Sequence, residues 1–327
     1  HCAPGSHLAE RVWDISDCGL SHEDLGIEVI LGKSDVNSKL KSFDEDLPRK
    51  VAAILRKSAS IPKWTIDIIS GDGWNVDRGN WSILDSTMCA VTYGRYNYNA
   101  LIDALHIAGT AQELVISETR LDALTHFFMA RDSMYRQIYQ HRVLQAADAL
   151  TSMISKRAFY LASVNKMDFF ADRTMTAVLK GGLATSDQRM ELLFAMDENW
   201  WGYHLSRWRD CEDAILADLA SRLLDRRLFK TIRLEGSEVA QGMIIARARE
   251  VSSELGFEPD YYVREISQAD SHRSGVFENP PKVLLENGEL RSVSDIEPTM
   301  ISLLQQSPRH RKWLAIPQEV KEKLGLR

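Results

Sequence analysis

The chain reads as a mostly α-helical core followed by a smaller α+β region. Three observations carry that reading. Apolar residues recur at helical spacing through the first two-thirds of the chain. Residues 119–162 form the longest such stretch. The last third changes to short strand-like runs, and Asn287-Gly288 between two of them is the strongest short hairpin signal.

In order along the chain, 47–58 has helical periodicity with Pro48 near its start, where proline is tolerated. A second helix is expected over 61–71, stopped by Gly71, and an amphipathic third over 96–109, ending in Gly109. Residues 119–162 carry the stripe Leu121, Leu124, Phe128, then Leu144, Ala147, Leu150 and Ile154. Further helices are expected around 188–194 and 211–224. Residues 227–235 and 260–267 read as strands with a helix at 236–256 between them; 282–293 reads as the hairpin and 271–281 as a loop. No repeat or low-complexity stretch interrupts this order. It divides the chain into a helical core at 1–165 and, at 166–327, a helical extension with the small α+β region.

Composition narrows the function classes. With 327 residues, 44% hydrophobic and 26% charged, the chain can bury a substantial core. A net charge of -6 gives no global nucleic-acid footprint, although a local basic pocket stays open. Cys2, Cys18, Cys89 and Cys211 are scattered, which indicates neither a zinc knuckle nor a disulfide framework and fits a reducing cytoplasm. No apolar run approaches the roughly 20 residues that span a bilayer, so no membrane partner is expected. The sequence opens at His1.

Four stretches concentrate polar groups. His7 and Glu10 stand at helical i, i+3 spacing. His22-Glu23 follows Ser21 and precedes Asp24, a set that would equally serve as a helix start. Asp77, Trp81 and Asp85 share one quadrant of a helix at about 100° per residue, with Arg78 beside them. A solvated helix face competes with this reading, but an indole midway between two acids favours a face that lines something. In 130–142, Arg131, Tyr135 and Arg142 form a stripe with Tyr139 close by; arginine and tyrosine inside a core-forming helix suggest an anion pocket, against a plain surface salt bridge.

The order of these stretches resembles the HD-domain phosphohydrolases, in the branch of deoxynucleoside-triphosphate triphosphohydrolases and their bacterial relatives. Pro4-Gly5-Ser6-His7 with Glu10 matches that family's Pro-Phe-Ser-His-x-x-Glu element, and His22-Glu23 its His-Glu. Asp77, Trp81 and Asp85 match Asp-x-x-x-Tyr-x-x-x-Asp; Tyr93-Gly94 matches Tyr-Gly; Arg131 with Tyr139-Gln140-His141 matches Arg…Tyr-x-His. Residues 223–230 look like the segment leading into the family's small α+β region. Gly5, Trp81 and Leu84 stand where the family has Phe, Tyr and Arg. The family's first His and its His-Asp pair would lie immediately before His1, and the expectation is that they precede this sequence.

The resemblance implies an HD-type helical core and a metal-dependent phosphohydrolase acting on nucleotides, foremost a (deoxy)nucleoside triphosphate. Asp77 would be the last ligand of a divalent ion (Mg, Mn, Zn, Fe or Ni). His7, Glu10 and His22 would lie along the phosphates as acid, orienter and anion partner. Trp81 and Asp85 would face the sugar, and Arg131 would grip the terminal phosphates with Arg78 nearby. Tyr135, Tyr139 and His141 would complete the substrate pocket. A homo-oligomer is expected by resemblance only. Two rivals use the same scaffold: a phosphodiesterase or nuclease, and a nucleotide sensor that has lost its metal.

Overall fold

The computed structural model describes residues 21–181, 186–268, 280–298 and 311–325. His7 and Glu10 lie outside the described residues, as does all but the end of the expected loop at 271–281. The chain is mostly α-helical with small sheets and a smaller α+β C-terminal region. The first helices are α1 (His22–Leu31), α2 (Asp35–Lys41), α3 (Leu47–Leu55), α4 (Lys63–Ser70), α5 (Val76–Met88) and α6 (Tyr98–Ile102). Strands β1 (Leu105–Ala108) and β2 (Glu113–Ser117) follow, then α7 (Leu121–Met134), a π-helical turn (Tyr135–Tyr139) and α8 (Arg142–Ser163). Next come α9 (Arg173–Leu179), α10 (Ser186–Ala195), α11 (Glu198–Trp208) and α12 (Ala214–Leu224). The C-terminal part runs β3 (Lys230–Leu234), α13 (Glu238–Glu254), α14 (Pro259–Tyr262), β4 (Arg264–Gln268), β5 (Lys282–Leu284), β6 (Leu290–Ser292), α15 (Val293–Ile296), β7 (Arg311–Ile316) and α16 (Gln318–Lys323).

Local chemistry sets many of the helix starts. Ser21 and Asp24 form a reciprocal capping box at the head of α1. Asn75 caps α5, Asp172 α9, Asp197 α11, Asp213 α12 and Ser237 α13, each accepting a backbone N–H from the first turn. Each such cap stabilises its helix by about 1 kcal/mol.

The described residues fall into two compact units, each gathered from separated stretches of chain. One takes 21–48, 142–181, 186–267 and 311–325. Its main core joins α8, α9, α11 and α12 through Leu150, Ile154, Met175, Trp208, Leu216 and Leu219. A smaller core packs α13 and α16 against the sheet β3-β7-β4 through Ala248, Val251, Leu314, Ile316 and Val320. In that sheet β3 and β7 pair antiparallel from Lys230–Ile316 to Leu234–Lys312.

The other unit takes 49–141, Gln268 and 280–298. Its core joins α6 and α7 to the four-stranded sheet β1-β2-β5-β6 through Leu101, Leu124, Phe127, Phe128, Val283 and Val293. β2 and β5 run parallel, pairing Ile116 with Val283, while the two outer pairs are antiparallel.

Three expectations need correction. Residues 96–109 are not one helix: α6 ends at Ile102 and β1 begins at Leu105, paired along its length with β2. A helical pattern in so short a run is outweighed by strand pairing, and Gly109, at φ +76°, serves a turn rather than a helix end. The stretch 119–162 is interrupted at Gln140 and His141, so the stripe through Arg131 does not continue to Arg142. Its second half faces its core with Ala146, Ala149 and Met153 beside Leu150 and Ile154, leaving Leu144 46% exposed. Within 260–267, Tyr261 and Tyr262 close a helical turn, and the strand starts only at Arg264. The hairpin about Asn287-Gly288 forms as read. Among the described residues no helix is long and apolar enough to cross a membrane.

Candidate active site

The site forms where α5 meets the end of α7. One face of α5 carries only small buried residues: Gly79, Ser82 and Ser86. Ser82 Oγ donates to Gly94 O at 3.0 Å, Ser86 Oγ donates to Val91 O at 2.8 Å, and Gly94 N donates back to Ser86 Oγ at 3.2 Å. A Cβ on Gly94 would stand 2.0 Å from Ser82 O and 2.9 Å from Met134 Cγ, so only glycine fits this approach. Likewise a Cβ on Gly79 would stand 2.7 Å from Trp74 Nε1 and Tyr96 Oη, which are themselves hydrogen-bonded at 3.0 Å. Thus the Gly94 part of the Tyr-Gly match is a packing device, while the Tyr93 side chain is 44% exposed.

The opposite face carries Asp77, Trp81 and Asp85. Trp81 packs edge-on against Tyr135 and Tyr139, with ring centroids 5.7 and 5.3 Å away, and the two tyrosines lie 5.2 Å apart. The π-helical turn helps gather them: Gln140 N bonds to Tyr135 O at 2.8 Å, widening the turn by one residue. The Tyr139 hydroxyl donates to Asp85 Oδ2. Burial, reinforced by this bond, raises the Tyr139 pKa above its ordinary value.

Arg131 lies beneath this wall, 7% exposed, its guanidinium 5.2 Å from the centre of the Tyr135 ring. Burial, with the positive charge of Arg78, pushes its pKa down to about 10. A desolvated guanidinium near a second cation favours an anion beside it. Arg78 is partly committed elsewhere: one of its nitrogens donates to the carbonyls of Gly71 and Asp72 at 3.0 and 2.6 Å.

The remaining sequence-selected residues are placed less tightly. Asp77 is exposed in the first turn of α5. His141 is exposed between the π-helical turn and α8. His22 opens α1, and its side chain lies outside the described part. The metal implied by resemblance is not accommodated by the described residues, among which no group of three His, Cys, Asp or Glu side chains is gathered. Asp77 alone is a single hard ligand, and one carboxylate does not hold a catalytic divalent ion.

The same unit holds a cleft of about 650 Å³ that no sequence motif marks. Ile66, Trp74 and Ile116 line it, with the ion pairs Lys63–Asp67 at 2.7 Å and Lys282–Glu113 at 2.5 Å. It shares the 71–73 loop that Arg78 holds. Its lining is split between α4, β2 and residues 280–282, so nothing local in the sequence could have revealed it.

Comparison with known proteins places this geometry on a recurring fold. No family model matches the chain. Over 297 residues it is 27% identical to the uncharacterised protein YwfO of Bacillus subtilis; the match takes 89% of this chain, which spans 65% of that relative's length. The crystal structure of a phosphohydrolase from Bacteroides thetaiotaomicron superposes with a TM-score of 0.78 at 22% identity, covering 97% of this chain and 76% of that one. A hypothetical protein from Aquifex aeolicus superposes at 0.63 and 17% identity, covering 97% and 83%. At these identities the likenesses establish the fold.

Proposed function

We propose that this chain is a phosphohydrolase acting on nucleotides, with a nucleoside triphosphate as substrate. The observation that carries the proposal is the buried Arg131 cation beneath the Trp81–Tyr135–Tyr139 wall. Such a site suits a ligand with a ring at one end and a multiply charged anion at the other. The motif order supports the HD-type reading, and the fold it shares with the Bacteroides phosphohydrolase supports the reaction class. Because the chain spans 65% of YwfO, the activity is proposed for the protein to which this chain belongs.

The proposed roles are those the resemblance implies, and each suits the chemistry of its group. Arg131 binds phosphate oxygens and offsets the charge that develops on the transferring group. The three rings take the apolar faces of the nucleoside. Asp85, held by Tyr139, accepts a hydrogen bond from a sugar hydroxyl. By the motif order alone, His7 would be the acid that protonates the leaving oxygen, Glu10 its orienter and His22 an anion partner. Asp77 and a divalent ion belong to the proposal only together with ligands beyond the described residues.

The test incubates the full-length protein with a nucleotide panel and a divalent-cation series, and reads released phosphate and triphosphate by ion chromatography. Turnover of a nucleoside triphosphate is expected. Cleavage of single-stranded DNA or RNA instead would favour the phosphodiesterase reading. Tight binding without turnover would favour a sensor.

A further inference from the structure

The cleft of about 650 Å³ lies between one face of α4 and the four-stranded sheet. Lys63, Ile66, Asp67 and Ser70 supply the helix side, at the i, i+3, i+4, i+7 spacing of a single face. Leu105 and Ile116, paired across β1 and β2, supply an apolar floor. Gly73 packs directly on Pro281 at one end, where a Cβ would stand 2.6 Å from Pro281 Cγ. No residue of α4 is fully buried, although Trp64, Ile66, Ile68 and Ile69 are apolar. Ile66 is left half-covered where it faces the cleft. A hydrocarbon body laid on Ile66, Leu105 and Ile116 would take that surface out of water.

The polar lining is built from two ion pairs tied to neighbouring residues of β2. Lys63 Nζ donates to both oxygens of Asp67 at 2.7 Å, and Asp67 also accepts Leu114 N at 3.2 Å. Lys282 Nζ donates to Glu113 at 2.5 Å. The carboxylates are sunk and the lysines are not: Asp67 and Glu113 are 15% and 12% exposed, Lys63 and Lys282 51% and 48%. Exposed Lys57 lines the cleft as well, and with Lys63 and Ile66 it borders an adjoining hollow of about 460 Å³. Three ammonium groups therefore stand against two carboxylates already engaged, leaving N–H donors and one unmatched positive charge. The third acid of the lining, Asp72, has a cation beside it, because Arg78 donates to its carbonyl at 2.6 Å. We propose that the cleft binds a small apolar acid, its hydrocarbon or aromatic body on the floor and a single carboxylate on Lys63 and Lys282. One negative charge completes the balance, whereas the several charges of a nucleotide would overshoot it. The cleft is thus distinct from the Arg131 site in ligand chemistry, and it shares none of the Trp81, Tyr135 or Tyr139 lining.

The test is calorimetric titration of the full-length protein with octanoate, octanamide, acetate and octyl phosphate. Octanoate is expected to bind at one site per chain. Octanamide keeps the body without the charge, and acetate the charge without the body; each should bind at least about tenfold more weakly. Octyl phosphate should bind no more tightly than octanoate. Ser70→Trp places an indole in the cleft from the last residue of α4 and should weaken octanoate binding at least about tenfold. Lys57→Glu reverses an exposed charge and should weaken it about threefold. Circular-dichroism melting checks that both variants stay folded, and Lys57→Glu decides the matter if Ser70→Trp does not. Absence of saturable octanoate binding would overturn the proposal, as would binding that Lys57→Glu and a folded Ser70→Trp both leave unmoved. Octanamide binding as tightly as octanoate would overturn the acid assignment, and tighter octyl phosphate would give the cleft to a phosphate ester instead.

Discussion

The Tyr139 hydroxyl donates a hydrogen bond to the Asp85 carboxylate, joining the π-helical turn to α5 across 54 residues of chain. The bond keeps the phenol neutral and the carboxylate oriented. Because the folded-state pKa of Tyr139 lies above its ordinary 10.0, the neutral phenol stabilises the fold below that pH, and this contribution is lost as pH rises beyond it. Tyr139→Phe should cost about 1 kcal/mol near neutrality, reduced from a fully buried charge-assisted bond because the pair is partly exposed. Urea unfolding from neutral pH to above the ordinary tyrosine value is the measurement. The gap between wild type and Tyr139→Phe should narrow at the alkaline end; a constant gap would contradict this role.

Arg131 is expected to trade stability for binding. Its pKa is pushed down from 12.5 to about 10, so it remains a cation at neutral pH but a less favourable one in the folded state than in the unfolded chain. At neutral pH the full cost of holding the cation is in place, of order 3 kcal/mol; it is relieved only as pH rises from about 10 toward 12.5. Arg131→Met keeps the bulk and removes the charge. It should raise the unfolding free energy while weakening triphosphate binding more than nucleoside binding in calorimetry. Equal loss for both ligands, with lower stability, would identify Arg131 as a structural residue.

Gly94 governs how closely α5 approaches the end of α7. A methyl group there would stand 2.0 Å from Ser82 O, a backbone atom that cannot swing away. Gly94→Ala should destabilise the protein by about 3 kcal/mol, the upper end of overpacking, and separate Trp81 from the tyrosines. Chemical denaturation gives the first number; a shift in tryptophan emission reports the second. A change within about 0.5 kcal/mol, the range of ordinary surface substitutions, would show that the loop yields.

Several features were legible from sequence because their causes are local. The Ser21–Asp24 helix start, the Asn287-Gly288 hairpin and the α5 face need only turn chemistry and helical spacing. Features decided by distant pairing were not. β1 reads as helix until β2 is laid beside it, and β2 and β7 have little signature of their own. The break at Gln140 follows from a widened turn that no spacing rule detects. At the site, Arg131 and Tyr135 stood out as polar residues in an apolar helix. That Tyr139 would reach Asp85, rather than extend the Arg131 stripe, depends on how α5 meets the turn.

Asp77 offers the sharpest separation between chemistry and local structure. It is an exposed acid in the first turn of a helix already capped by Asn75, whose side chain accepts from Arg78 N at 2.7 Å. In that role alone it is worth about 0.3–1 kcal/mol through the helix dipole. As a metal ligand, as the motif order implies, its loss would remove the ion and the turnover together. Asp77→Asn keeps the shape and removes the charge, so thermal stability should fall little. In the full-length protein, elemental analysis should show metal content falling with phosphate release. If both stay at wild-type levels, Asp77 is a helix-start residue and the metal assignment is wrong. If release falls while metal is retained, the carboxylate meets the substrate rather than the ion.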